Sequence, residues 1–171
     1  AELSTLRAAG KRHVLVTPGN YGEDFSRDVL GLSLKNWALC SNYVGDAIDW
    51  AVNLGFESFL LVGHLGKLAK VAGGAMNTHS RTADCRAELF CAHAAAAGAD
   101  TALCRALLGA ATTDACIELL DGAGLRGPVL DSLTAAAQRH LERRAAGAFA
   151  VGVALFSNQH GVLGVSPQAR T

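Results

Sequence analysis

Only three prolines, Pro18, Pro128 and Pro167, interrupt the 171 residues. No Pro-rich stretch, linker or internal repeat divides the chain, so a single domain over 1–171 is the simplest count. Neither sign of charge is in surplus, with 15 Lys plus Arg against 15 Asp plus Glu. That balance leaves no net basic field to hold a nucleic acid or an anionic membrane surface, and points to a small molecule or another protein as partner. No apolar run reaches the roughly 18 residues that a membrane-spanning helix needs, and Ala1 to His13 lacks the charged-then-apolar order of a signal peptide. A cytoplasmic location is the expectation. The five cysteines (Cys40, Cys85, Cys91, Cys104, Cys116) are odd in number and never paired as C-x-x-C, as reduced core thiols would be. A metal set of Cys85, Cys91 and His93 has five residues between its cysteines, which is not a usual zinc spacing, so no metal site is expected. Dinucleotide, P-loop, G-x-S-x-G and H-E-x-x-H motifs are all missing.

What is present is apolar and periodic. Half of the residues are hydrophobic and 18% are charged, enough for a substantial core. Short apolar runs predict strands near residues 13 to 17, 37 to 40, 58 to 63 and 149 to 156. Between them Val44, Ile48, Ala51 and Val52 share one helical face, as do Leu65, Leu68, Ala69 and Ala72. Ser41 is a good helix N-cap, and the next helix should begin near Gly66. Helices are also predicted over Ala1 to Lys11, Thr82 to Gly98 (with Asp84 in its first turn), Thr101 to Leu108 and Thr113 to Leu120. A longer one should open on Pro128 and bury Val129, Leu133, Ala137 and Leu141. Strands alternating with helices predict a doubly wound α/β domain of about four mainly parallel strands with helices on both faces. Ligands of such sheets bind beyond the carboxyl ends of the strands.

Four polar segments follow strands: Pro18 to Asp24, Ser41 to Asp46, Gly63 to Lys70 and Ser157 to Gly161. The densest polar region is GHLGKLAKVAGGAMNTHSRTAD, residues 63 to 84. Its Gly66 opens a helix whose free N–H groups suit an anion, with Lys67 and Lys70 on one helical face. Asn77, His79, Ser80 and Arg81 add hydrogen-bonding groups in a loop. His64 and His79 are placed to titrate near neutral pH, whereas His93 reads as a core residue and His13 and His140 as surface ones. Arg139, Glu142, Arg143 and Arg144 read as the solvated face of their helix. From the residues alone follows an α/β domain with an anion-compatible site, and no reaction.

VTPGNYGEDF (16 to 25), CSNYVGDAIDWAVNLGFESFLLVGHLGKLAKVAGGAMNTHSRTADCR (40 to 86) and ALFSNQHGVLG (154 to 164) resemble the CbiD family, in order and over nearly the whole chain. The resemblance implies transfer of a methyl group from S-adenosyl-L-methionine to C-1 of a cobalt-precorrin tetrapyrrole in anaerobic cobalamin synthesis. It also implies a partner, the amino-terminal half of the enzyme, since members of the family are about twice this length. The opening on Ala1 agrees with a missing upstream part, so the chain alone is expected to fold without turning substrate over. On this resemblance Gly66, Lys67, Lys70, Asn77, Ser80 and Arg81 would hold the substrate. Gly19, Asn20, Ser41 and Asn42 would hold the methyl donor, with Asp46 a further ribose partner. His64 or His79 would serve as acid or base.

Overall fold

The run Phe59-Leu60-Leu61-Val62 has no polar face to turn to water, and in the computed structural model, which describes residues 1–170, it forms the heart of the central strand. Strand β3 (Ser58–His64) pairs in parallel with β1 (His13–Thr17) on one side and β4 (Ala150–Ser157) on the other. Beyond β1 lies β2 (Trp37–Leu39), also parallel, so the order is β2-β1-β3-β4 with a fifth strand at the far edge. Burial on both faces is what makes a parallel strand read as an uninterrupted apolar run. The four parallel strands fall where the periodicity placed them.

The fifth strand, β5 (Gly161–Val165), runs antiparallel to β4 and was not anticipated. Ser157 to Gly161 is a hairpin turn that leads straight into this strand. Gly161 takes a positive φ of 71° to make the turn. A five-residue strand with a glycine at its start and another at its fourth position carries too little apolar alternation to be seen in isolation.

Helices cover both faces of the sheet. On one side α2 (Asn20–Asp28) and a short 3₁₀ turn (Leu34–Asn36) close over Leu15, Val62, Ala154 and Phe156, with Phe25 stacked on Phe156 at 4.2 Å between ring centroids. On the other side α3 (Val44–Asn53) and α4 (Leu65–Ala72) each pack on the long α8 (Arg126–Ala145) and bury the larger core with it. In α8 the stripe Val129, Leu133, Ala137 and Leu141 is fully buried, as its spacing requires. Outside this layer α5 (Arg86–Ala96), α6 (Thr101–Leu108) and α7 (Thr113–Gly122) form a satellite around Phe90, Leu107 and Ile117. Helix α1 (Glu2–Ala8) buries none of its own residues and lies along the β2 edge, where Glu2 accepts the Leu39 N–H at 2.7 Å.

Three helix starts differ from expectation, each for a local reason. Ser41 adopts the left-handed region at φ 52°, so it cannot cap; α3 begins at Val44, and the N–H of Gly45 goes to the Met76 carbonyl at 3.0 Å. The helix expected from Thr82 begins at Arg86, because Asp84 binds the Arg86 guanidinium from outside the helix. Pro128 is the third residue of α8, still in the first turn, where a missing N–H costs nothing. Among the described residues no helix is long and apolar enough to cross a membrane. The five cysteines are free; Cys40 and Cys116 are buried and the other three half-buried.

Candidate functional site

Because β2 lies to one side of β1 while β3 and β4 lie to the other, the strand order reverses between β1 and β3. At such a reversal the loops leaving adjacent strands diverge and open a crevice at the carboxyl edge. Four segments meet this edge: Thr17 to Asn20 after β1, Cys40 to Asn42 after β2, His64 to Lys67 after β3 and Ser157 to His160 after β4. Adjacent strands are about 4.8 Å apart, so groups from β2, β1 and β3 lie within reach of one small molecule.

The β1 loop is tied down from below. Trp37 donates its indole N–H to Thr17 Oγ1 at 2.9 Å, and Cys40 N donates to the Thr17 carbonyl at 2.9 Å. Helix α2 follows with Gly19 as N-cap and no side chain capping its first turn. It presses so closely on the sheet that a Cβ at Gly22 would come within 2.7 Å of Thr17 Cβ and 3.0 Å of the Val62 carbonyl. Asn20 is exposed at the start of this helix and Gly19 half-buried behind it. Neither Asn20 nor Asp24 caps the helix.

At the end of β3, His64 is the N-cap of α4, with Nδ1 accepting the Gly66 N–H at 2.9 Å. A neutral imidazole has one acceptor and one donor nitrogen. With Nδ1 committed as acceptor, Nε2 carries the proton. Burial holds His64 below the ordinary imidazole value, while the neighbouring Asp114 carboxylate works weakly against that shift. Its ring meets Phe156 edge to face, 5.7 Å between centroids. His64 thus spends Nδ1 on capping α4 and leaves Nε2 uncommitted to the cap.

The cationic residues separate. Lys70 is 2% exposed, and its ammonium donates to the Thr78 carbonyl at 2.9 Å and to Ser80 Oγ at 3.1 Å. Its pKa is lowered, first by burial and then by nearby Arg86. Lys70 and Ser80, both expected to face a ligand, instead fasten the loop to α4. Lys67 is half-buried one turn earlier, close enough to Cys40 to act on its thiol, and Arg81 is exposed. Burial pushes Cys40 up to about 12, so it stays a protonated thiol.

The loop from Asn77 to Asp84 runs along the carboxyl edge of the sheet. It begins against β2's loop: Tyr43 and Asn77 form an isolated antiparallel bridge, Thr78 N donates to the Asn42 carbonyl at 2.9 Å, and Thr78 Oγ1 donates to Asn42 Oδ1 at 3.1 Å. Asn77 Oδ1 accepts from His79 N, and His79 Nδ1 accepts from Arg81 N. The loop ends at Asp84 and Arg86, beside Thr112 and Thr113 at the start of α7. Asn77 and one nitrogen of His79 are thus used in shaping the loop, while the His79 and Arg81 side chains stay exposed. Asp46 stands apart from the edge, on a groove between α1 and α3.

Sequence reasoning singled out the Ser157 to Gly161 segment without choosing residues in it, and passed over Asp114. Ser157 donates to Asp114 Oδ1 at 2.6 Å and accepts the N–H groups of Gln159 and His160. His160 Nε2 lies 3.8 Å from the same carboxylate oxygen, buried and without a hydrogen-bond partner. No spacing links Asp114 to Ser157, 43 residues later; only folding α7 onto the β4 edge brings them together. The remaining histidines are structural in position. His93 is half-buried against Ser132 Oγ at 2.7 Å, and His140, expected at the surface, is half-buried beside Gly74. The Arg139 to Arg144 face is exposed, with Arg144 paired to Asp49 at 2.6 Å. Among the described residues no group of three or more His, Cys, Asp or Glu is arranged to hold a metal ion.

The family model described as CbiD, C-terminal domain, matches residues 77–167, just over half of the chain. A cobalt-precorrin-5B C(1)-methyltransferase of Ruminiclostridium cellulolyticum is 41% identical over 157 residues, covering 92% of this chain and 41% of that protein. The protein of the same name from Alkaliphilus metalliredigens is 37% identical over 171 residues, 98% of this chain and 44% of its own length. That from Edwardsiella ictaluri is 43% identical over 142 residues, 82% and 37% respectively. No solved structure matches. The chain spans less than half the length of these curated relatives. Matched by the family model over half its residues and by such relatives along nearly all of them, the chain belongs to the CbiD family.

Proposed function

We propose that the chain is the carboxy-terminal part of a cobalt-precorrin-5B (C-1)-methyltransferase and that the edge described above is its half of the active site. What carries the reading is the match of 92% of the chain to a relative of that name. The donor is S-adenosyl-L-methionine, which supplies a methyl group on a sulfonium. The electron pair of the ring carbon forms the new carbon–carbon bond while the methyl–sulfur pair leaves with sulfur. Little covalent chemistry is then asked of the protein; it must align the two reactants, exclude water and place charge.

The residues present fit those tasks. The first-turn N–H groups of α2, uncapped by any side chain, and the polar groups of Asn20, Ser41 and Asn42 suit the donor's carboxylate and hydroxyls. Asn42 has its Oδ1 occupied by Thr78, which leaves its amide N–H pair to donate. The acetate and propionate groups of the tetrapyrrole suit Lys67 and Arg81, neither of which makes an ion pair among the described residues. His64, held neutral with Nε2–H free of the cap, suits a carbonyl or ring-nitrogen acceptor on either ligand. Buried Lys70 braces the loop that carries Ser80 and Arg81, and Asp46 faces the groove between α1 and α3. His79 keeps a free Nε2 and remains a candidate for proton transfer.

The amino-terminal half found in the relatives is the proposed partner, and the cytoplasm the proposed location, in line with five free thiols. Calorimetric titration tests the reading: the chain should bind S-adenosyl-homocysteine or a carboxylate-bearing cobalt tetrapyrrole. Absence of heat with both would overturn it. A second form of the same reading, in which this part holds a ligand but turns nothing over without its other half, predicts binding and no methyl transfer by the purified 171-residue chain.

A further inference from the structure

Among the described residues three of the seven exposed large hydrophobic side chains gather in one place. Leu39, Tyr43 and Trp50 are 39%, 55% and 59% exposed, and all three line one groove of about 390 Å³ between α1 and α3. Tyr and Trp are costly to leave in water and are the residues most enriched where interfaces are anchored. Scattered apolar residues need no explanation, but three large ones around one concavity do. The carboxylates of Glu2 and Asp46 stand on the same groove, with no Lys or Arg lining it.

We infer that this groove seats the amino-terminal part of a CbiD polypeptide, through a segment presenting aliphatic or aromatic side chains to Trp50 and Tyr43 and a basic residue to Asp46. Two observations select that occupant. The matched relatives carry more than half of their length outside the match, and the matching family model is a C-terminal domain, which puts the remainder mostly ahead of it. Ala1 itself lines the groove, so a polypeptide joined ahead of it enters at the rim. The groove also adjoins Cys40 and Tyr43, whose loop carries Ser41 and Asn42 at the candidate site. A segment seated here brings the other half of the molecule over the carboxyl edge. The inference rests on the family membership and needs no ligand, so it stands or falls independently of the methyl-transfer reading.

Hydroxyl-radical footprinting with mass spectrometry tests it. Oxidation of Leu39, Tyr43 and Trp50 is compared in the 171-residue chain and in a fusion that carries, ahead of Ala1, the portion of the Ruminiclostridium cellulolyticum relative lying before the match. The expected result is markedly slower oxidation of Trp50 and Tyr43 in the fusion, as for side chains in an interface core closed to solvent, with exposed Leu108 unchanged. Equal oxidation in both proteins overturns the inference. Concentration-dependent protection in the 171-residue chain, with a dimer in the ultracentrifuge, assigns the groove to a second copy and overturns it too. As an independent reading, Trp50→Ser should leave the melting temperature of the 171-residue chain unchanged while splitting the single unfolding transition of the fusion into two; an unsplit transition counts against the groove.

Discussion

The two nitrogens of His64 stand in different settings, and they can be separated by substitution. Nδ1 caps α4 through the Gly66 N–H at 2.9 Å, and Nε2–H is left to donate. Removing a capping side chain costs roughly 1 kcal/mol, within about 0.5–2. His64→Ala should therefore lower the melting temperature by about 2–4 °C for a domain of this size. His64→Asn places an amide oxygen near the Nδ1 position, and Asn is among the strongest N-caps, so its stability should stay within roughly 0.5 kcal/mol of the parent. The same variant has no counterpart of Nε2–H. His64→Gln reaches the Nε2 position with an N–H but caps less well.

Acid adds a second handle on the same residue. Protonation puts a hydrogen on Nδ1, facing the Gly66 N–H, so the folded state resists it and its pKa is depressed below 6.5, chiefly by burial. The unfolded chain takes up that proton first as pH falls. His64's contribution is thus complete above about 6.5 and is lost as pH drops from there toward the folded value. His93 and His140 are depressed by burial and nearby arginines, and act in the same direction. The carboxylates Asp28, Asp49 and Asp84 are held below their ordinary range by hydrogen bonds from their arginine partners and fall outside this window. Urea unfolding between pH 5 and 8 should show stability decreasing toward acid for the parent, and a shallower decrease for His64→Asn. If His64→Asn is as destabilised as His64→Ala, or keeps the parental pH slope, His64 is not the cap and the assignment of its proton fails. With the cap intact, weaker ligand binding by His64→Asn and recovery in His64→Gln would mark Nε2–H as the contact.

Other outcomes follow from the same geometry. Lys67→Ala and Arg81→Ala should each weaken tetrapyrrole binding about ten- to hundredfold by removing a charge-assisted hydrogen bond worth roughly 1.5–3 kcal/mol, with S-adenosyl-homocysteine affinity nearly unchanged. The reverse pattern would assign these cations to the donor's carboxylate, and normal affinity for both ligands would make them a solvated face. Lys70→Met should lower stability by about 1–3 kcal/mol, because the buried Thr78 carbonyl loses its donor; an unaffected protein with weakened ligand binding would return Lys70 to the site. A methyl group at Gly164 would overlap the Thr134 hydroxyl on α8, so Gly164→Ala should cost roughly 1–3 kcal/mol in denaturant unfolding. A neutral result there would mean that β5 sits less tightly on α8 than described.

Much of the architecture was legible because apolar period and burial are the same fact seen twice. The uninterrupted Phe59 to Val62 run declares a strand covered on both faces, and the stripe from Val129 to Leu141 declares a helix covered on one. The polar segments after the parallel strands were legible as well, and His64, Gly66 and Lys67 stand where β3 passes into α4. What spacing leaves open is which way each polar group in such a loop points. Lys67 and Lys70 are three residues apart on one helix, yet Lys70 is spent on Thr78 and Ser80 while Lys67 makes no ion pair among the described residues. Ser41 has the chemistry of a cap, but its backbone lies in the left-handed region, α3 begins at Val44, and the Gly45 N–H goes to the Met76 carbonyl.

By itself the sequence determined the four parallel strands, the faces of the helices and, through long unusual motifs, the family, since each depends on residues near one another in the chain, while the antiparallel edge strand β5 escaped it. The tertiary structure alone decided the partners of the polar groups. Asp114 meets Ser157, Lys70 turns inward, and Leu39, Tyr43 and Trp50 gather on one groove only after distant segments pack together. A hydrogen bond between residues 43 apart leaves no period to read.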